Sequence, residues 1–116
     1  MNKSEAISKI RAALVGDSQV ITPKGETYED FVERQSRQLL SNVITPVLVT
    51  VVSTCVKSGD IEKYQNATVW AIARHENNWL LTLENENQFA LGFGEASSEI
   101  MLHGFSSSDV LGEWCA

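Results

Sequence analysis

The sequence predicts an α+β fold in which two N-terminal helices pack on a five-stranded, mostly antiparallel sheet, followed by a short C-terminal helix. Two observations lead to this prediction. Apolar residues recur at helical spacing in the first third of the chain, whereas residues 47–105 read as strand-like segments separated by turn residues. With 116 residues, the chain is expected to form a single α+β domain, residues 1–116, with its own core.

The N-terminal third predicts two helices. The first is expected from Ser4, a favourable N-cap, to about Val15, with Gly16 as its stop signal. The second is expected to begin at the Thr27 cap. It should end at Thr45-Pro46, because the residue before a proline disfavours helical geometry.

The remainder predicts five strands and a final helix. Residues 47–56 are rich in valine and apolar on both faces, which suits an internal strand. A polar loop is expected over residues 58–66. The last helix is expected to start near Ser106-Ser107-Ser108-Asp109, which offers several N-caps, and to run through Trp114. Four consecutive strands are predicted between the loop and this helix, at about residues 68–76, 79–84, 88–94 and 99–105.

Turns at Asn77-Asn78, at residues 85–87 and near Ala96-Ser97 predict the register of these four strands. Because paired residues share a face, this register collects the large apolar side chains on one face, which the helices would cover. The predicted apolar face consists of Trp70, Ile72, Trp79, Leu81, Leu83, Phe89, Leu91, Phe93, Ile100 and Leu102.

The second face of the predicted sheet is small and apolar in its middle, whereas a free face normally alternates with charged residues. Something is therefore expected to cover it: the C-terminal helix, a second copy of the chain or another protein. A homodimer is the simplest of these, since closed two-fold pairs dominate soluble assemblies. The predicted interface residues are Ala71, Ala73, Thr82, Ala90, Gly92, Met101 and His103.

One group of residues supports a ligand-binding alternative. Arg74 falls on the aromatic-rich face, and Gln35 lies on the apolar stripe of the second helix, from where it could face the same cavity. One arginine and one amide in an apolar cavity could hold a small anionic ligand. Alternatively, Arg74 extends past the sheet edge to a carboxylate. The predicted ligand-binding residues are Arg74, Gln35, Trp70, Trp79 and Phe93.

Motifs for catalysis, cofactors and metals are missing from the sequence. It contains no nucleophile elbow, no P-loop and no dinucleotide fingerprint, so no cofactor is predicted. His75 and His103 fall on predicted strands three apart, which separates them by roughly 14 Å. With no Cys-x-x-Cys pair either, no metal site is predicted. Cys55 and Cys115 are expected to be reduced structural residues.

The net charge of −6 restricts the partners. Residues 46–116 hold three basic residues against nine acidic ones, which accounts for the whole excess. Nucleic-acid binding is thereby disfavoured, whereas a basic protein partner is compatible. No apolar run reaches the roughly 20 residues of a membrane helix, and no signal peptide is recognisable, so a cytoplasmic protein without membrane contact is expected.

The order of helices followed by a curved antiparallel sheet is similar in outline to the NTF2-like cone fold, whose members use the cone as a pocket for isomerase chemistry or small-molecule binding. In size and charge the chain resembles small acidic bacterial immunity or antitoxin proteins and proteins carried by mobile gene cassettes. The sequence accordingly favours a non-enzymatic protein-interaction module that self-associates through the second face. The alternative is a pocket protein or enzyme that uses Arg74 and Gln35.

Overall fold

A computed structural model describes residues 1–55 and 60–116, and within them the chain forms four helices and a six-stranded mixed sheet. The helices are α1 (Lys3–Ala13), α2 (Tyr28–Ser41), α3 (Asp60–Asn66) and α4 (Val110–Trp114). The strands are β1 (Val43–Leu48), β2 (Val51–Thr54), β3 (Val69–His75), β4 (Asn78–Leu83), β5 (Phe89–Phe93) and β6 (Ile100–Leu102).

The two N-terminal helices are present, and side-chain caps fix where each begins. The cap of α1 is Asn2 rather than Ser4, because Asn2 accepts a hydrogen bond from the Glu5 backbone N–H at 2.8 Å. The Glu5 carboxylate in turn accepts from the Asn2 N–H at 3.0 Å, which completes a capping box. Thr27 caps α2 as predicted, accepting from the backbone N–H of Asp30.

The segment between α2 and α3 corrects two predictions. Helix α2 ends at Ser41 instead of Thr45-Pro46, and the chain enters β1 directly. The predicted strand over residues 47–56 is divided by a bend at Val49 and Thr50, with residues 47–48 ending β1 and residues 51–54 forming β2. We call β1, this bend and β2 the bent segment. Residue 56 lies outside the described residues. Pro46 is tolerated inside β1 because the strand is at an edge and its register shifts there.

The bent segment curls the sheet, because β1 pairs with β3 at one edge and β2 pairs with β6 at the other. The strand order is β1-β3-β4-β5-β6-β2, so both edge strands belong to the same stretch of chain. The meander from β3 to β6 is antiparallel as predicted, but β2 pairs with β6 in parallel. The four antiparallel pairs make β6 run in the same direction as β1. Because β2 continues β1 after the bend, β2 pairs with β6 in parallel.

Helix α3 replaces most of the predicted loop over residues 58–66, of which residues 58 and 59 lie outside the described residues. Acidic residues in its first turn and Lys63 in its last turn suit the helix dipole. Ile61 and Tyr64 are three residues apart and pack on the sheet, and Tyr64 is buried. This apolar spacing was the sequence signal for a helix.

The register of the β3–β4 hairpin differs from the prediction. The turn is Glu76-Asn77, where Glu76 adopts a φ of 55°, so Arg74 pairs with Trp79 rather than Leu81. The pairing then shifts by one residue between Ala71 and Ala73. This irregularity places Trp70 on the face opposite Trp79, because adjacent strand residues alternate between faces.

Both later hairpins are shifted by one residue from the predicted register. Thr82, not Leu83, pairs with Phe89, and Met101, not Ile100, pairs with Phe93. The β4–β5 connection occupies residues 84–88 instead of 85–87. As a consequence, Phe89 and Leu91 of β5 lie on the face opposite Leu81 of β4, whereas the predicted register placed all three on one face.

The shifted register produces two cores, one on each face of the curled sheet. We call the set inside the curl the inner core: Val51, Tyr64, Val69, Ala71, Trp79, Leu81, Leu83, Ala90, Ile100 and Leu102. We call the set beneath α1, α2 and α4 the outer core: Ala6, Ile10, Leu39, Val43, Ile72, Ala73, Leu80, Phe89, Val110 and Leu111. Both apolar faces of the sheet are therefore covered within a single chain.

Candidate functional site

A cleft opens on the outer face between α2, the β3–β4 hairpin and the C-terminal end of the chain. Its volume is about 200 Å³. It combines three carboxamides and an imidazole with three apolar side chains. The residues that line the cleft are Gln35, Gln38, His75, Asn78, Leu91, Trp114 and Ala116.

Three elements position the cleft side chains. Gln35 and Gln38 are three residues apart on α2, so they project from the same side of the helix. His75 and Asn78 flank the two-residue turn of the β3–β4 hairpin and pair with each other. Helix α4 carries Trp114, and its N-cap Asp109 accepts hydrogen bonds from Ser18 Oγ at 2.7 Å and from the Gln19 N–H at 2.8 Å, which ties α4 to the α1–α2 connector.

The polar groups of the cleft are largely available to a ligand. The Cys115 thiol donates a weak hydrogen bond to Gln35 Oε1 at 3.6 Å. Burial raises the pKa of the Cys115 thiol, with a smaller contribution from Asp109, so the thiol stays protonated as this contact requires. No hydrogen bond within the described residues engages the side-chain amides of Gln38 and Asn78.

Arg74 does not belong to this cleft. Its guanidinium stacks on the ring of Trp79, with Cζ 4.0 Å from the ring centroid, and its Nε donates to the Glu76 carbonyl at 2.7 Å. Arg74 shares the inner side of the sheet with Trp79, whereas Gln35 lies on the outer side. The structure does not bring Arg74 and Gln35 into one cavity, because the sheet separates the two side chains.

The three predicted aromatic ligand residues are also divided between the faces. Trp79 is buried in the inner core, and its indole N–H donates to the Gly94 carbonyl at 2.9 Å. Trp70 packs against the outer core, and its buried indole N–H has no hydrogen-bond partner among the residues described. Phe93 is half-buried on the outer side, next to the cleft residue Asn78 in the β4–β5 ladder.

Most of the predicted dimer interface is buried inside the chain. Ala71, Ala90 and Gly92 face the inner side, whereas Ala73 and Thr82 face the outer side. All five are buried, so a partner cannot contact them without opening the fold. Met101 is half-buried, and His103 is exposed. Self-association stays a prediction, but it would need a different surface.

A second polar cluster joins α3 to the segment before α4, and the sequence did not indicate it. Tyr64 and Ser106 share a hydrogen bond of 2.7 Å, and Ser106 also donates from its backbone N–H to Asp60 and from Oγ to Gln88. Burial raises the pKa of Tyr64 above its ordinary value. These contacts tie together residues far apart in sequence, so local patterns could not show them.

Glu113 lies at the edge of this second cluster. Burial raises the pKa of its carboxyl to about 7, helped by the negative charges of Asp109 and Asp60, although a hydrogen bond from Ser107 opposes the shift. Ser107 Oγ donates to Glu113 at 3.4 Å. The ionisation of Glu113 is therefore expected to respond to pH near neutrality.

Among residues 1–55 and 60–116, no three His, Cys, Asp or Glu side chains are placed to hold a metal ion together. None of the helices in this part of the chain is both long and apolar enough to cross a bilayer. Comparison of the chain with protein-family models, curated proteins and solved structures finds no match. A functional assignment therefore depends on the geometry of the cleft and on its surroundings.

Proposed function

We propose that the protein is a binding module whose cleft receives an extended segment of another protein. The observation that carries the proposal is the convergence of three carboxamides, from Gln35, Gln38 and Asn78, beside the half-buried Trp114. This assignment keeps the interaction role that the sequence favours and moves it from the second sheet face to the cleft.

The chemistry of the cleft matches a peptide backbone. A carboxamide both donates and accepts hydrogen bonds, as a peptide group does, so Gln38 and Asn78 can satisfy successive backbone groups of a bound strand. Trp114 and Leu91 supply apolar surface for a side chain of the ligand. Typical pockets for drug-sized ligands measure about 300–1,000 Å³. A cleft of about 200 Å³ is better suited to one or two peptide side chains than to a whole metabolite.

The charge around the cleft favours a basic segment. The chain carries a net charge of −6. Glu76 lies in the hairpin turn between His75 and Asn78, and Glu95 follows Gly94, whose N–H donates to the Asn77 carbonyl at 3.0 Å. The two acidic turns are thus adjacent beside the cleft. Attraction to them would raise the association rate of a basic ligand and make binding sensitive to salt.

Selection of random linear peptides displayed on phage, with the full chain as bait, tests the proposal. Enriched peptides should be rich in Lys and Arg, and their affinity should fall as salt is raised. Gln35→Ala and Gln38→Ala should each weaken binding at least about fivefold, because the bound peptide group would lose a hydrogen-bond partner worth about 1–3 kcal/mol. Alanine is a good helix former, so α2 should be retained in both variants.

The matched control is Gln65→Ala on α3, which removes an exposed carboxamide whose only described contact is a 3.5 Å hydrogen bond to the Val52 carbonyl. Its affinity for the selected peptides should equal that of the wild type. Selection that enriches no peptide, or peptides whose binding is weakened equally by the Gln35, Gln38 and Gln65 substitutions, would contradict the cleft as the binding site.

A further inference from the structure

Two sulfur atoms lie side by side where the bent segment pairs with β6. The Cys55 Sγ is 3.4 Å from the Met101 Sδ. Cys55 is exposed and Met101 is half-buried, so the pair is accessible from the surface. Neither the cleft nor the second polar cluster includes these residues.

The strand register brings a third donor to the same face. Thr54 pairs with Leu102 in the parallel β2–β6 ladder, and the Cys55 N–H donates to the Leu102 carbonyl at 3.0 Å. Because the ladder is parallel, the residues that follow Thr54 and Leu102, which are Cys55 and His103, are neighbours across it. The His103 N–H donates to the Leu91 carbonyl at 2.8 Å, so the β5–β6 ladder extends to His103.

Alternation along this extended strand places Met101 and His103 together. Leu102 between them is fully buried in the inner core, so its two neighbours point to the opposite, outer side. The contact between Cys55 and Met101 shows that the thiol is on that side too. Neighbouring strands of a sheet lie about 4.7–4.9 Å apart, so the imidazole of His103 is within reach of the Cys55 thiol.

We propose that Cys55, Met101 and His103 form a three-ligand site for a soft monovalent cation, Cu(I), which Ag(I) would also occupy. Thiolate and thioether ligands select Cu(I), and imidazole is a common third ligand. Binding would release the thiol proton of Cys55, because the thiolate is the ligand. With metal–sulfur bonds of about 2.3 Å and an angle of about 120°, the two sulfurs would lie about 4 Å apart. The observed pair would have to open by only about 0.6 Å to reach that geometry.

The donor set also explains why the sequence predicted no metal site. The three donors form no Cys-x-x-Cys pair, and one of them is a thioether, so no metal-binding motif marks the site in the sequence. Hard or borderline ions are not expected at the new site, because a thioether is a poor ligand for them. Zn(II) should therefore bind much more weakly than Ag(I) or Cu(I).

Titration with Ag(I), followed by NMR of methionine methyl groups, tests the site. The chain has two methionines, Met1 and Met101, so each spectrum contains its own internal control. The titration is done in a Cys115→Ser background, which leaves Cys55 as the only thiol. One equivalent of Ag(I) should shift the Met101 methyl signal and leave that of Met1 unchanged. Adding Cys55→Ser should abolish the shift.

Affinities measured for Cu(I) against a chromogenic chelator, under anaerobic reducing conditions, provide the second readout. Met101→Leu and His103→Gln should each weaken binding at least about tenfold, since a lost ligand that costs about 1.4 kcal/mol has that effect. His75→Gln is the matched control and should bind like the parent. A Met101 methyl signal that does not move at one equivalent, or affinities unchanged in Met101→Leu and His103→Gln, would overturn the site and leave Cys55 as an isolated thiol.

Discussion

The two faces of the curled sheet differ in how completely they are covered. The inner core is enclosed by the sheet itself and by Tyr64 from α3, and its large side chains are buried. The outer core is covered by three separate helices, which leave the polar cleft between α2 and α4. The inner face is thus enclosed, whereas the outer face leaves polar side chains exposed in the cleft, which is where we propose that a partner binds.

The largest expected effect is the loss of packing in the inner core. Leu81→Ala should lower the free energy of unfolding by about 2–5 kcal/mol, because Leu81 is fully buried and its removal leaves a cavity. Denaturant unfolding followed by tryptophan fluorescence measures the change. The control is Leu48→Ala on β1, whose side chain is 59% exposed and which should change stability by less than about 0.5 kcal/mol. Equal losses in the two variants would remove the distinction between an enclosed inner core and an exposed edge.

A smaller effect is expected from overpacking the same core. A Cβ on Gly92 would lie 2.6 Å from Ile100 Cγ2 and 2.9 Å from Leu81 Cδ1, so Gly92→Ala should destabilise by about 1–3 kcal/mol. Because Ile100→Ala removes the clashing Cγ2, Gly92→Ala combined with Ile100→Ala should cost less than the sum of the two separate losses. Gly16→Ala is the matched control, since no atom lies within 4 Å of its added Cβ. A neutral Gly92→Ala variant would show that the inner core is looser than described.

The smallest expected effect concerns the outer face, where α4 carries Glu113. Because the pKa of the folded state is raised to about 7, the folded protein binds more protons than the unfolded chain between the ordinary value of 4.5 and 7. Stability should therefore fall as the pH rises through this window. Glu113→Gln should remove that contribution and stabilise the protein at pH 8 by on the order of 1 kcal/mol, a value reduced for partial exposure.

Thermal unfolding from pH 4.5 to 8 measures this dependence, and Glu95→Gln in the exposed β5–β6 turn serves as the control. The difference between wild type and Glu113→Gln should grow with pH. If the two melting curves respond to pH in the same way, the carboxyl of Glu113 titrates as an exposed group, and the packing of α4 on the outer face is looser than its contacts indicate.

The register errors show what the sequence could not provide. The first turn lies at Glu76-Asn77 instead of Asn77-Asn78, with Glu76 at a φ of 55°, and the β4–β5 connection is longer than predicted. A one-residue slip is normally detected because it moves apolar residues into solvent. Here both faces are covered, so a slipped register such as Leu83 with Phe89 still appeared satisfactory.

The cleft could be predicted only in part for a related reason. The sequence places the Gln35 amide on the apolar stripe of α2, and Gln35 lines the cleft. Its neighbours Asn78 and Trp114 depend on the position of the hairpin and on α4, which Asp109 holds through Ser18. Such contacts between distant parts of the chain leave no local pattern. Arg74 shares a face with Trp79, as the sequence predicts, but α2 covers the opposite face, so Arg74 and Gln35 do not meet.

Chemical-shift mapping of the ¹⁵N-labelled chain with its tightest selected peptide tests the central claim most directly. The largest amide shifts are expected at Gln35, Gln38, His75 and Asn78 and at the indole N–H of Trp114, with little change at Trp79, whose indole is held in the inner core. That result would establish the incompletely covered outer face as the binding surface. Shifts concentrated instead on α3 or on the bent segment of β1 and β2 would contradict it.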